Sequence, residues 1–95
     1  MKVENKTVLI TGGASGIGKI MARLLLEREA KVIIWDINQE GIDKVIEEFS
    51  DLGTIIGYKI NVSDIEEIQS TAQKLLQQNH IIDILINNAG IIVGK

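Results

Sequence analysis

Four short apolar runs alternate along the chain with three stretches whose apolar residues return at helical spacing. Lys6 to Thr11 is the first run, with Val8, Leu9 and Ile10 at its centre, and it reads as a strand. Ile17, Ile20, Met21, Leu24 and Leu25 then recur on one stripe, predicting an amphipathic helix that buries them. Val32-Ile33-Ile34-Trp35 predicts a second strand ending at Asp36. Ile42, Val45, Ile46, Phe49 and Leu52 predict a second helix, closed by Gly53. Thr54 to Ile60 predicts a third strand, interrupted by Gly57. Ser63-Asp64-Ile65-Glu66 has the S-x-x-E form of a capping box and opens a third helix, with Ile65, Ile68, Ala72, Leu75 and Leu76 on one face. Ile81 to Ile86 predicts a fourth strand, running into Asn87-Asn88-Ala89-Gly90.

Strands that are almost continuously apolar and separated by helices belong to a parallel sheet covered on both faces, an α/β fold. Right-handed crossovers restrict the topology, and the leading arrangement is strand order 3-2-1-4, a partial Rossmann-type doubly wound sheet. Helices 1 and 2 then cover one face and helix 3 the other. No linker, repeat or low-complexity segment divides residues 1–95, and one domain is expected.

Composition narrows the function. The hydrophobic content of 45% and mean hydropathy of +0.18 fit a globular chain with a real core. A net charge of -3 and a pI near 5.0 argue against nucleic acid and anionic membrane as partners. No apolar run approaches the roughly eighteen residues of a bilayer span. The first residues, Met1-Lys2-Val3-Glu4-Asn5-Lys6, contain no apolar signal core. With no cysteine there is no disulfide, no thiolate metal site and no thiol nucleophile. A cytoplasmic protein is the expectation.

The chemistry concentrates where strand 1 meets helix 1, in Thr11-Gly12-Gly13-Ala14-Ser15-Gly16-Ile17-Gly18. In a doubly wound sheet this turn lies at the carboxyl ends of the strands, at the switch point where ligands bind. Glycine lets the backbone turn sharply and come close to a pyrophosphate, while the amides at the helix N-terminus point at it with the dipole behind them. The competing reading is an ordinary β-α turn. The spacing departs from G-x-G-x-x-G, because Met21 stands where a third glycine would fall, and no Gly-Lys-Ser/Thr follows as in a Walker A loop.

Asp36 lies about twenty residues after Gly16, at the end of strand 2, where a carboxylate accepts hydrogen bonds from an adenosine ribose. The same charge repels a 2′-phosphate. Ser15 and Ile37 are neutral and Lys19 is expected to point to solvent, so NAD is favoured over NADP. A solvated acid at a strand end is the alternative.

Taken together, Gly12-x-x-x-Gly16-x-Gly18 after strand 1, Asp36 after strand 2, Asn61-Val62 after strand 3 and Asn87-Asn88-Ala89-Gly90 after strand 4 closely resemble the N-terminal half of the short-chain dehydrogenase/reductase family. The resemblance covers essentially the whole chain. It implies that the glycine loop carries the pyrophosphate, that the acid after strand 2 selects NAD, and that the pair after strand 3 frames the adenine. The N-N-A-G turn would support the sheet and line the adenine ribose. The residues implicated as cofactor-binding are Gly12, Ser15, Gly16, Ile17, Gly18, Asp36, Ile37, Asn61, Val62, Asn88, Ala89 and Gly90.

Two departures from the family pattern stand out. Asn61 occupies a position that is usually aspartate; its amide can accept and donate, so adenine contact would survive with altered polarity. Its other reading is a helix-entry residue two positions before a Ser63 cap. The family's acid/base chemistry uses a tyrosine with a lysine four residues later, which lowers the tyrosine pKa, together with a serine and a distant asparagine. Here the sole tyrosine, Tyr58, has valine at position 62 and is expected to pack in strand 3, so no catalytic residue is assigned and the chain alone is expected to be inactive. His80 reads as a turn residue at the opposite end of the sheet, Trp35 as core, and Glu47-Glu48 and Glu66-Glu67 as solvated helix faces.

The resulting expectation is a short-chain oxidoreductase moving hydride between NAD and an alcohol or carbonyl substrate, with these residues supplying the dinucleotide-binding half of a longer chain. The alternatives are a non-catalytic nucleotide-binding module or fragment, and a methyltransferase, which the N-N-A-G turn and the glycine spacing disfavour. One helix cannot cover a whole sheet face, and strand 4 presents an apolar edge. The 95-residue chain is therefore expected to self-associate or to be marginally stable. Sedimentation and a thermal melt check this; a cooperative monomer without exposed apolar surface overturns it.

Overall fold

The computed structural model describes residues 2–88. Their order is β1 (Thr7–Thr11), α1 (Gly16–Glu27), β2 (Lys31–Asp36), α2 (Gln39–Phe49), β3 (Ile55–Lys59), α3 (Ile65–Gln77) and β4 (Ile84–Asn87). The four strands form one parallel sheet in the order β3-β2-β1-β4. This is the predicted arrangement. It brings the carboxyl ends of all four strands to one edge, with Thr11 opposite both Trp35 and Asn87, and Asp36 opposite Lys59.

Alternation along the strands divides the core between the two faces. Val8, Ile10, Val32, Ile34 and Ile55 point toward α1 and α2 and pack with Ala22, Leu26, Ile42, Val45 and Phe49. Leu9, Ile33 and Trp35 point the other way and pack with Ile60 and Leu75 of the α3 layer. Trp35 is core, as expected, and its indole Nε1–H is buried without a hydrogen-bond partner among the described residues. Tyr58 packs against the same layer and its hydroxyl donates to Gln78 Oε1 at 3.1 Å.

Four details differ from the sequence reading. First, α1 is rotated. It buries Gly18, Ala22 and Leu26, with Met21 and Leu25 at the margin, while Ile17, Ile20 and Leu24 are 69%, 59% and 52% exposed. Gly18 and Ala22 are small enough to bring the helix close to the sheet, and that contact determines its rotation more than the larger residues do. Second, α2 ends at Phe49 with Ser50 as its C-cap, Gly53 lies beyond it and Leu52 is largely outside the core. Third, β4 begins at Ile84; the preceding Asp83 bonds Thr7 twice, its amide donating to the Thr7 carbonyl at 2.9 Å and its carboxylate accepting from Thr7 N–H at 2.8 Å.

The fourth concerns the start of α3. Its cap is Asp64, whose Oδ1 accepts from the amides of Glu66 and Glu67 at 3.0 and 3.3 Å. Ser63 instead donates to Asn61. Aspartate competes well at this position because its charge also complements the helix dipole. Ile65 and Leu76, placed on the buried stripe by their spacing, are each 67% exposed. The expected coverage holds in outline, with α1 and α2 on one face and α3 on the other. Leu85 of β4 is 61% exposed, since the alternation points it away from the α1 face and α3 does not reach it.

Asp64→Ala should cost about 1 kcal/mol of stability and Ser63→Ala distinctly less, as read from denaturant melts. Equal losses would return the cap to Ser63.

Candidate functional site

The loop from Gly12 to Ser15 leaves β1 at the carboxyl edge of the sheet and delivers the chain into α1. Gly12 and Gly16 take φ of 70° and 57°, the left-handed region where a side chain is strained. Apart from its chain neighbours and the backbone of its own helix, no atom of the described residues lies within 4 Å of the position a Cβ of Gly16 would take, so the start of α1 is open to an approaching group. Gly18 meets the opposite condition: its Cβ would land on the Gly12 carbonyl oxygen and lie 2.6 Å from Asn88 Nδ2. One glycine leaves room for a ligand and the other allows the loop to fold onto the helix.

α1 also begins without a side-chain cap. Ser15 occupies the cap position in an extended conformation (φ -158°, ψ 168°), and its hydroxyl makes no cap bond. By contrast, Asn38 and Asp64 cap α2 and α3 through their side chains. The first-turn amides of a helix have no partner within the helix, and here no acid in the first turn takes their place. The consequence is a patch of positive potential beside open space, suited to an anion.

Neighbouring strands hold the loop from both sides. Asp36 Oδ2 accepts from Ala14 N–H at 3.0 Å and Oδ1 accepts from Asn38 N–H at 3.0 Å. Across β1, Asn88 Nδ2 donates to the Gly12 carbonyl at 3.1 Å, and Thr11 Oγ1 donates to Asn87 Oδ1 at 3.0 Å. The expected roles of Asp36 and Asn88 as ligand contacts are thus joined by structural ones. Thr11, Ala14 and Asn87 fall within the motifs singled out in the sequence but were not among the residues implicated in binding; the pairing of Thr11 and Asn87 follows from strand order 3-2-1-4, which sets β4 beside β1.

On the β3 side, the Asp36 carbonyl accepts from Ile60 N–H at 2.8 Å, which draws Asn61 toward the end of β2. Ile37, 62% exposed, and Asn61 line a groove of about 780 Å³ that continues past Lys59 toward Ser70 and Lys74 of α3. Val62 is partly buried against the α3 layer. Ile17 is exposed at the start of α1. The structure therefore gathers Gly12, Ser15, Gly16, Ile17, Gly18, Asp36 and Asn88 around the loop, and sets Ile37 and Asn61 one strand further along. Ala89 and Gly90 lie outside the described residues.

Lys19 corrects the sequence reading. It pairs with Glu48 Oε1 at 2.8 Å and sits 5.8 Å from the Phe49 ring centroid, tying α1 to α2 where it was expected to reach solvent. Glu48 is accordingly more than a solvated acid, and so is Glu67, whose Oε1 accepts from Asn61 N–H at 3.0 Å. His80 lies before β4, at the edge remote from the loop, with its amide donating to Leu75. Among the described residues no three His, Asp or Glu side chains gather in a metal-binding group, and no helix is long and apolar enough to cross a membrane.

Comparison with known proteins agrees with this geometry. The family model described as short chain dehydrogenase matches residues 6–95. The 3-oxoacyl-acyl-carrier-protein reductase FabG of Thermotoga maritima is 42% identical over 92 residues, covering 96% of this chain and 37% of that protein. The crystal structure of an NAD+-bound xylitol dehydrogenase superposes with a TM-score of 0.87 at 27% identity, covering 96% of this chain and 34% of the other. RhlG of Pseudomonas aeruginosa, in complex with NADP, gives a TM-score of 0.85 at 31% identity, covering 95% of this chain and 36% of the other. The chain spans about a third of the length of these relatives.

Gly18→Ala forces the loop off the helix and disturbs the Asn88 tether; a loss of about 1–3 kcal/mol is expected in denaturant unfolding. A loss under about 0.5 kcal/mol, the range of an ordinary surface change, would show that the close approach is not needed.

Proposed function

The chain belongs to the short-chain dehydrogenase family, and from that premise we propose that residues 1–95 form the dinucleotide-binding part of an oxidoreductase that transfers hydride between NAD and an alcohol or carbonyl compound. The observation that carries the reading is the uncapped start of α1, open above Gly16 and held beside the Asp36 carboxylate. The pyrophosphate would sit on the α1 amides, with Ser15 positioned to donate its hydroxyl. Nicotinamide would supply the hydride chemistry, while the protein binds and orients. The sequence holds no Tyr-x-x-x-Lys pair, so these residues are assigned binding and not proton transfer.

Asp36 supports NAD over NADP. Each of its oxygens already accepts one backbone N–H, and each keeps a lone pair for a ribose hydroxyl. A 2′-phosphate brought to the same place would meet a carboxylate, and Lys19 is turned toward Glu48. Relatives with NAD and with NADP bound are both on record, so the preference rests on these residues alone. The exposed apolar ridge of α1 and the Leu85 edge support self-association.

Calorimetric titration tests the proposal. NAD should bind at least about tenfold more tightly than NADP, a difference near 1.4 kcal/mol. Asp36→Ala should weaken NAD by about 1–3 kcal/mol and bring the two affinities together. Equal affinity in the unaltered chain, or a preference for NADP, would overturn the assignment.

A further inference from the structure

Ala14 is reached by α2 as well as by Asp36. Asp36 Oδ2 accepts from the Ala14 amide and Oδ1 from the Asn38 amide, each at 3.0 Å. Asn38 in turn caps α2, its Oδ1 accepting from Gly41 N–H at 3.1 Å. Gly41 then faces back on the loop, where a Cβ added to it would stand 3.2 Å from the Ala14 Cβ. Ala14, Asp36, Asn38 and Gly41 thus close a ring. It runs from the glycine loop through the end of β2 into the first turn of α2 and back.

The two sides of the Ala14–Gly41 contact are unequally fixed. Ile42, beside Gly41 in α2, is fully buried, and it lies so close to β3 that a Cβ on Gly57 would stand 2.5 Å from its Cγ2. Val45 and Phe49 continue the same buried stripe, and Glu48 pairs with Lys19 of α1. α2 therefore has no room to retreat. Ala14 stands among Gly12, Gly13 and Gly16, in a loop that Asp36 and Asn88 each hold by one hydrogen bond. Crowding at this contact moves Ala14 and not α2, and it carries the Ala14 amide away from Asp36.

We infer that Gly41 is a positioning residue of the proposed dinucleotide site. Having no side chain, it lets the first turn of α2 seat Ala14, and with it the glycine loop, where Asp36 holds the Ala14 amide. The inference rests on the dinucleotide reading above and adds a residue outside the contacts proposed there. Glycine is a poor helix former and alanine the best, so the helix by itself gains nothing from Gly41. The loop it faces accounts for it. Stability and ligand affinity should then respond to Gly41→Ala in opposite directions.

Thermal melts and calorimetric titration with NAD decide the matter for the unaltered chain, Gly41→Ala, Ala14→Gly and the double variant. Gly41→Ala should melt at or above the temperature of the unaltered chain. It should bind NAD about three- to tenfold more weakly, the size of one disturbed hydrogen bond. In the Ala14→Gly background, where the facing Cβ is gone, the same substitution should cost less than about twofold. Equal costs in the two backgrounds, an unchanged NAD affinity, or affinity and melting temperature falling together each overturn the inference. Hydrogen exchange at the Ala14 amide reads the displacement without ligand. Gly41→Ala should speed it and leave the buried Leu26 amide unchanged; an Ala14 rate that stays the same, or rises only together with that of Leu26, overturns the inference. Absence of NAD binding by the unaltered chain removes the dinucleotide reading, while exchange at Ala14 still decides the positioning, so the two failures are distinguishable.

Discussion

The glycine loop depends on being held from both sides. Asp36 reaches it from β2 through the Ala14 amide, and Asn88 reaches it from the end of β4 through the Gly12 carbonyl. A loop rich in glycine has more conformational freedom to lose than any other, and without such bonds it would not keep its amides aimed at one place. Strand order 3-2-1-4 is what makes the arrangement available, since it puts β2 and β4 on either side of β1. A carboxylate and an amide are also the right groups for the two ends: one accepts from an N–H, the other donates to a carbonyl.

That double attachment gives Asp36 two tasks that share one side chain. Its oxygens hold Ala14 and Asn38 while keeping capacity toward the site. The carboxylate charge at the proposed ligand site and the positioning of the glycine loop are therefore linked, and a change at this position acts on both.

Much of this was legible in the sequence. The alternation of continuous apolar runs with helical stripes identified the elements, the parallel sheet and the side each helix covers. What was not legible depended on distances between elements. Counting apolar positions placed Ile17, Ile20 and Leu24 in the core of α1, but Gly18 and Ala22 make the close contact and turn those residues outward. Spacing made Ser63 the cap of α3, whereas Asp64 competes for the same amides and wins. Asn61 was open between a base contact and a helix-entry residue; its oxygen serves the helix entry. Lys19 looked like a free cation until α2 brought Glu48 and Phe49 beside it.

The bond from Asn88 to Gly12 joins residues 76 positions apart, as do those from Thr11 to Asn87 and from Thr7 to Asp83. Contacts of such separation close large loops and form late in folding. During synthesis the glycine loop leaves the ribosome early and must wait for nearly the whole of this segment before its second anchor exists. Until β4 docks on β1, the loop has only its Asp36 side in place. Assembly of the site is thus a report that the sheet has closed, and the nascent chain acquires an ordered glycine loop at the end of this segment's folding, not at its start.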